Sequence, residues 1–168
     1  MTAIVIILCC HVIYTPSAAA QSPGGRNFGF GLVLFEPTGL TIKDWVSSTN
    51  AFDVELGGNS YFGALRLNFD YLWEYYPFNT PYANLYVGPG ISLGFGVPYY
   101  SYYYGPANSG FLYRTDGEAG LGVRMIVGMD FVPARTPLEF FVQLGPLIGL
   151  TPGFGVGIDF ALGMRFYP

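Results

Sequence analysis

The chain has 168 residues, enough for one domain and short for two. It is 51% hydrophobic and only 11% charged, against roughly 25% charged in an ordinary soluble domain. A net charge of −4 with no basic cluster argues against a nucleic-acid partner and against attachment to anionic lipid headgroups.

The first twenty residues read as a unit of their own. Ile4 to Ile13 is an apolar core, and Ser17-Ala18-Ala19-Ala20-Gln21 offers small residues where a signal peptidase cuts, so residues 1–20 are expected to be a signal peptide. No Lys or Arg stands near Met1, which departs from the usual positive start. A lipoprotein signal at Cys9 is disfavoured, because Leu8 rather than a small residue precedes it. Cys9, Cys10 and His11 all lie in this segment, so residues 21–168 contain neither Cys nor His. That removes any disulfide framework, any Cys/His metal set and the usual catalytic base.

Residues 21–168 then read as a series of alternating segments. Phe28 to Phe35 places Phe28, Phe30, Leu32 and Leu34 on one face, and Glu36-Pro37-Thr38-Gly39 supplies turn chemistry. Leu40 to Val46 is a second strand, with Thr41 and Lys43 inward and Trp45 near its end. Ala51 to Gly57 sends Phe52, Val54 and Leu56 outward and Asp53 and Glu55 inward, and Gly58-Asn59-Ser60 closes a hairpin. In Tyr61 to Trp73, Leu65, Leu67, Phe69, Tyr71 and Trp73 oppose Ala64, Arg66, Asn68 and Asp70. Tyr82 to Val97 sets Leu85, Val87, Ile91, Leu93 and Phe95 against a row of glycines, with Pro89 expected to mark a bulge.

The tyrosine-rich connection Pro98 to Glu118 is the longest. Ala119 to Val132 opposes Leu121, Val123, Met125, Val127, Met129 and Phe131 to Gly120, Gly122, Arg124, Gly128 and Asp130. Leu138 to Gly149 alternates Phe140, Val142 and Leu144 with Glu139 and Gln143. Gly153 to Tyr167 is the clearest run: Phe154, Val156, Ile158, Phe160, Leu162, Met164 and Phe166 alternate with Gly155, Gly157, Asp159, Ala161, Gly163 and Arg165.

Strict period two means a strand whose faces meet different media. A glycine-rich face covers a water-exposed sheet poorly but suits the inside of a narrow barrel. The bulky face then points into lipid. The expected fold is all-β: an eight-stranded antiparallel up-and-down transmembrane β-barrel, even-numbered and just wide enough for its own side chains. A soluble barrel of lipocalin type would have to hide the Leu/Phe face and show glycine rows to water.

The charges segregate accordingly. Lys43, Asp53, Glu55, Arg66, Asp70, Arg124, Asp130, Glu139, Asp159 and Arg165 fall on the inner phase, where they can neutralise one another. The rest, such as Arg26, Glu36, Glu74, Arg114, Asp116 and Arg135, lie in or beside turns. Trp45, Trp73, Tyr71, Tyr75, Tyr76, Tyr82, Phe131 and Tyr167 are near strand ends and are assigned to interfacial aromatic belts. Tyr99, Tyr100, Tyr102, Tyr103 and Tyr104 extend a belt or offer a sticky surface to an extracellular ligand.

With these residues in view, the chain resembles a family of small bacterial outer-membrane β-barrels of spirochaete and other Gram-negative type. The matching stretches are FGLVLFEPTGLTIKDW, TNAFDVEL, DYLW, GVRMIVGMDF and GMRFY. More loosely, the layout is similar to the OmpA transmembrane domain, OmpX and OmpW. The resemblance implies residence in outer-membrane lipid after insertion by the barrel-assembly machinery, with no activity to carry over. One departure is that Phe166 keeps the phase of the aromatic insertion signal, whereas position 168 holds Pro168. The role expected is structural or surface interaction around a plugged lumen, with no enzymatic activity and no cofactor. The alternative is a narrow channel or a conduit for small hydrophobic solutes.

Overall fold

The computed structural model describes residues 23–58, 65–78, 80, 82–95, 119–134, 136–151 and 154–168. Eight antiparallel strands follow one another in chain order: β1 (Phe28–Phe35), β2 (Thr38–Trp45), β3 (Asn50–Gly58), β4 (Leu65–Tyr75), β5 (Ala83–Phe95), β6 (Gly120–Phe131), β7 (Leu138–Thr151) and β8 (Gly155–Phe166). Each pairs with the next, and β8 returns to β1, so the sheet closes into an up-and-down barrel with no free edge. The strand bounds shift from the expected ones by a few residues at most ends. The expected signal peptide, the Gly58–Ser60 hairpin tip and the Pro98–Glu118 connection with its tyrosines lie largely or wholly outside the described residues.

Period two decides which side chains meet inside. In β6 and β8 the apolar residues of one phase are all exposed, and the glycines, charges and small residues of the other phase are buried together with Ile126, apart from a half-buried Gly163. The exposed set includes Leu32, Leu40, Val127, Leu144 and Ile158 from five different strands. The inversion of the soluble rule therefore runs round the wall, not along one strand.

Pro89 does not make a bulge. Asp70 pairs with Gly90 and Trp73 with Val87 in one register, with the pairs at Tyr71 and Leu72 missing between them. Proline has no N–H to donate, so the ladder skips locally instead of shifting. Pro146 does the same on β7: Arg124 pairs with Leu147 and Val127 with Leu144, with the two pairs between them missing. The register shift that does occur lies between Leu121 and Gly122, opposite Thr151 and Gly149.

At the β1–β2 turn the phase breaks. Phe35 has φ of 80°, a left-handed backbone uncommon for a bulky residue. By parity it should face inward, yet it is exposed, and Glu36 is turned into the barrel mouth instead. Thr38 secures the turn, its hydroxyl accepting from the Phe35 amide at 3.0 Å and donating to the Phe35 carbonyl at 3.1 Å.

Candidate functional site: the charged lumen

All ten charges assigned to the inner face are buried there, none more than 5% exposed. They form three linked tiers. Nearest the chain termini, the Lys43 ammonium donates to Glu74 Oε1 at 2.7 Å and Asp130 Oδ2 at 2.5 Å, with Glu139 Oε2 at 3.6 Å. Beside it, Arg165 donates from Nη1 to Glu139 Oε1 and from Nη2 to Asp53 Oδ2, both at 2.6 Å, and from Nε to Thr41 at 2.9 Å. The Phe141 ring lies 3.8 Å from that guanidinium, a cation–π contact strengthened by burial.

In the middle tier, Arg124 donates Nε to Asp70 Oδ1 at 2.7 Å and Nη2 to Glu55 Oε2 at 2.9 Å, and Nη2 also meets Asp70 Oδ2. Glu55 further accepts from Gln143 at 2.6 Å and Asn68 at 3.0 Å, and Tyr86 donates to Gln143 at 3.0 Å. In the upper tier Arg66 forks onto the two oxygens of Asp159, and its Nε donates to Asn68 at 2.9 Å and Ser92 at 2.8 Å. Asp159 Oδ2 also lies 3.4 Å from Arg124 Nη1, which joins the upper tier to the middle.

The glycines make this possible. Gly90 stands directly opposite Asp70, and a Cβ built on it would run into the Asp70 carboxylate. Gly128 likewise leaves the space the Tyr86 ring occupies. Small residues on the inner face therefore act as sockets for the charged and aromatic side chains of neighbouring strands.

Four residues read as turn or belt residues belong to the interior instead. Glu74 is 4% exposed and bonds Lys43, and Glu36 is 7% exposed. Trp45 and Tyr167 are 4% and 0% exposed, so they are not belt residues. They join Ala51, Leu72, Tyr86 and Ile126 in a buried apolar cluster near the chain termini. Trp45 Nε1 donates to the Tyr167 hydroxyl at 3.2 Å, which donates to Glu139 at 2.8 Å, and Lys43 sits 4.5 Å from the Trp45 ring. Burial pushes the Tyr167 hydroxyl well above its ordinary range, with Glu139 adding to the rise, so it stays a donor. Trp73, Tyr75, Tyr82 and Phe131 are exposed on the outer face, as belt residues would be, and Tyr71 and Tyr76 are half-buried.

Inside the barrel, four cations face eight carboxylates among the described residues. Glu36 has neither oxygen bonded, and burial pushes its carboxyl up to about 7, against the opposing pull of Arg66 and with a further push from Asp159. Among the described residues no group of three or more His, Cys, Asp or Glu side chains has metal-holding geometry. Chemically, the arrangement fills the bore with paired charge. No protein-family model, curated protein or solved structure matches the chain.

Proposed function

We propose that the protein is an integral barrel of a bacterial outer membrane, with a structural or surface-interaction role and a lumen closed by its own ion pairs. The observation that carries this is the inverted wall: large apolar side chains are exposed on the outer face while the inner charges are buried. Large apolar side chains are exposed on every one of the eight strands, whereas monomeric soluble proteins rarely expose contiguous apolar patches beyond a few hundred Å². In lipid an apolar outer wall is the required face, and closure of the sheet satisfies the backbone without an edge. Strands of 8 to 14 residues bracket the roughly 9–11 residues a tilted strand needs to cross a bilayer.

Residues 96–119 join β5 to β6 at the end of the barrel away from the chain termini, opposite the short β2–β3, β4–β5 and β6–β7 turns. Barrels of this type carry their longer loops outside and their short turns in the periplasm, so the tyrosine segment 99–104 would be the cell-surface element. The packed tiers of paired side chains support a closed lumen over a conduit. Refolding in detergent micelles and running boiled and unboiled samples on a gel tests the barrel reading: a compact, heat-modifiable form is expected, and a chain that stays soluble and monomeric without detergent would contradict it. In a planar bilayer the protein is expected to be electrically silent; steady single-channel steps would favour the conduit.

A further inference from the structure

Three buried oxygens near the termini end of the lumen have no hydrogen-bond partner: Glu74 Oε2, Asn84 Oδ1 and Asp130 Oδ1. They come from consecutive strands, β4, β5 and β6. Asn84 stands directly opposite Asp130, and Glu74 stands opposite Tyr86, two residues along β5 from Asn84. Directly opposite side chains start about 5 Å apart and diagonal ones about 7–8 Å apart, so the three share one patch of inner wall. The other oxygens of Glu74 and Asp130 converge on one atom, Lys43 Nζ, at 2.7 and 2.5 Å. That convergence holds the two carboxylates side by side, on the strands that flank the one carrying Asn84.

An oxygen buried without a donor costs free energy, and two of these belong to carboxylates. Lys43 offsets one of the two formal negative charges. Glu139, the third carboxylate at Lys43, is held by Arg165 at 2.6 Å, but Arg165 also holds Asp53, so the neighbouring side chains have no positive charge to spare. We infer that Glu74, Asn84 and Asp130 form a binding site for one hard monovalent cation of sodium size, resident in the lumen. Oxygen donors with no nitrogen or sulfur select a hard ion. A divalent ion would need six or more oxygens or an octahedral shell, which three oxygens do not supply.

The reading does not depend on which medium surrounds the barrel, and its test separates the two. The refolded full chain is unfolded with urea in detergent at constant ionic strength, sodium chloride being exchanged for tetramethylammonium chloride, whose cation is too large for the site. Above the dissociation constant, the folded-to-unfolded ratio at fixed urea is expected to rise about tenfold for each tenfold rise in sodium. The effect should vanish in Asn84→Ala, which keeps both carboxylates, and set in at lower sodium in Asn84→Asp, which adds a charge. Equal stability in the two salts, or a sodium dependence that Asn84→Ala leaves intact, would overturn the assignment. So would an infrared band of a protonated carboxyl that disappears in Glu74→Gln, because a shared proton would then be the balancing charge. A heat-modifiable band in every sample shows that a negative result concerns the site and not the barrel.

Discussion

Arg165 on β8 and Asp53 on β3 meet at 2.6 Å although β1 and β2 lie between their strands in the wall. The pair therefore ties the barrel across its bore, and Arg165 holds Glu139 on β7 with its other nitrogen. Removing one partner of a buried pair costs about 3–5 kcal/mol, chiefly because the other charge is left uncompensated. Arg165→Met takes the guanidinium from two carboxylates, leaving Glu139 with Lys43 and Tyr167 and Asp53 with Thr41, whereas Asp53→Asn leaves Arg165 still bonded to Glu139. Urea unfolding in micelles is expected to show the larger loss for Arg165→Met, and equal losses would mean that the two bonds are not coupled.

The outer face gives a complementary test. Val127 sits in mid-strand on β6 and is 56% exposed. In a bilayer, Val127→Arg is expected to cost about 2–4 kcal/mol, the range for a cation near the midplane. Val127→Leu should be close to neutral. The same Arg on a water-facing sheet would change little, so lipid-vesicle unfolding of the two variants distinguishes the media.

Gly90 opposes Asp70, and any side chain there meets the Asp70 carboxylate that Arg124 holds. Gly90→Val is expected to lose the heat-modifiable band on refolding. Gly25, whose Cβ would meet nothing within 4 Å, should lose only a little as Gly25→Asn, a residue that tolerates its φ of 73°. Comparable refolding of both variants would count against the socket role of the inner glycines.

Glu36 sets an acid-side pH dependence. Its carboxyl is raised in the fold from 4.5 to about 7. The folded state therefore holds this proton more tightly than the unfolded chain does. Its contribution is fully present below pH 4.5 and falls away as the pH rises to about 7, beyond which it is flat. Comparing unfolding midpoints of the wild type and Glu36→Gln between pH 4 and 8 isolates it: the difference curve should slope only across that window. A slope of opposite sign would show that Arg66 outweighs burial at this carboxyl.

Much of this barrel is legible in the sequence because the alternation is nearly unbroken. Phe154 to Phe166 fixes both faces of β8, and the ten inner charges follow from phase alone. Two features escape a plain reading of phase and position. Trp45, Glu74 and Tyr167 carry an inward signal, the phase of Lys43, Asp70 and Arg165, but their place at strand ends points the other way, to belts and turns. Glu36 had no such signal, since it turns inward only because Phe35 takes a left-handed backbone. Pro89 followed a rule that holds for a fully paired central strand, but here the neighbouring ladder lost two pairs and kept its register.

The two tryptophans of the sequence lie on opposite faces: Trp73 is 40% exposed on the outside and Trp45 is 4% exposed in the lumen. Single-tryptophan variants, Trp45→Phe and Trp73→Phe, refolded into vesicles of brominated lipid, report directly on which face meets hydrocarbon. Fluorescence from Trp73 is expected to be strongly quenched and that from Trp45 spared. Quenching of Trp45 with Trp73 untouched, or no quenching of either, would contradict the outward-facing apolar wall.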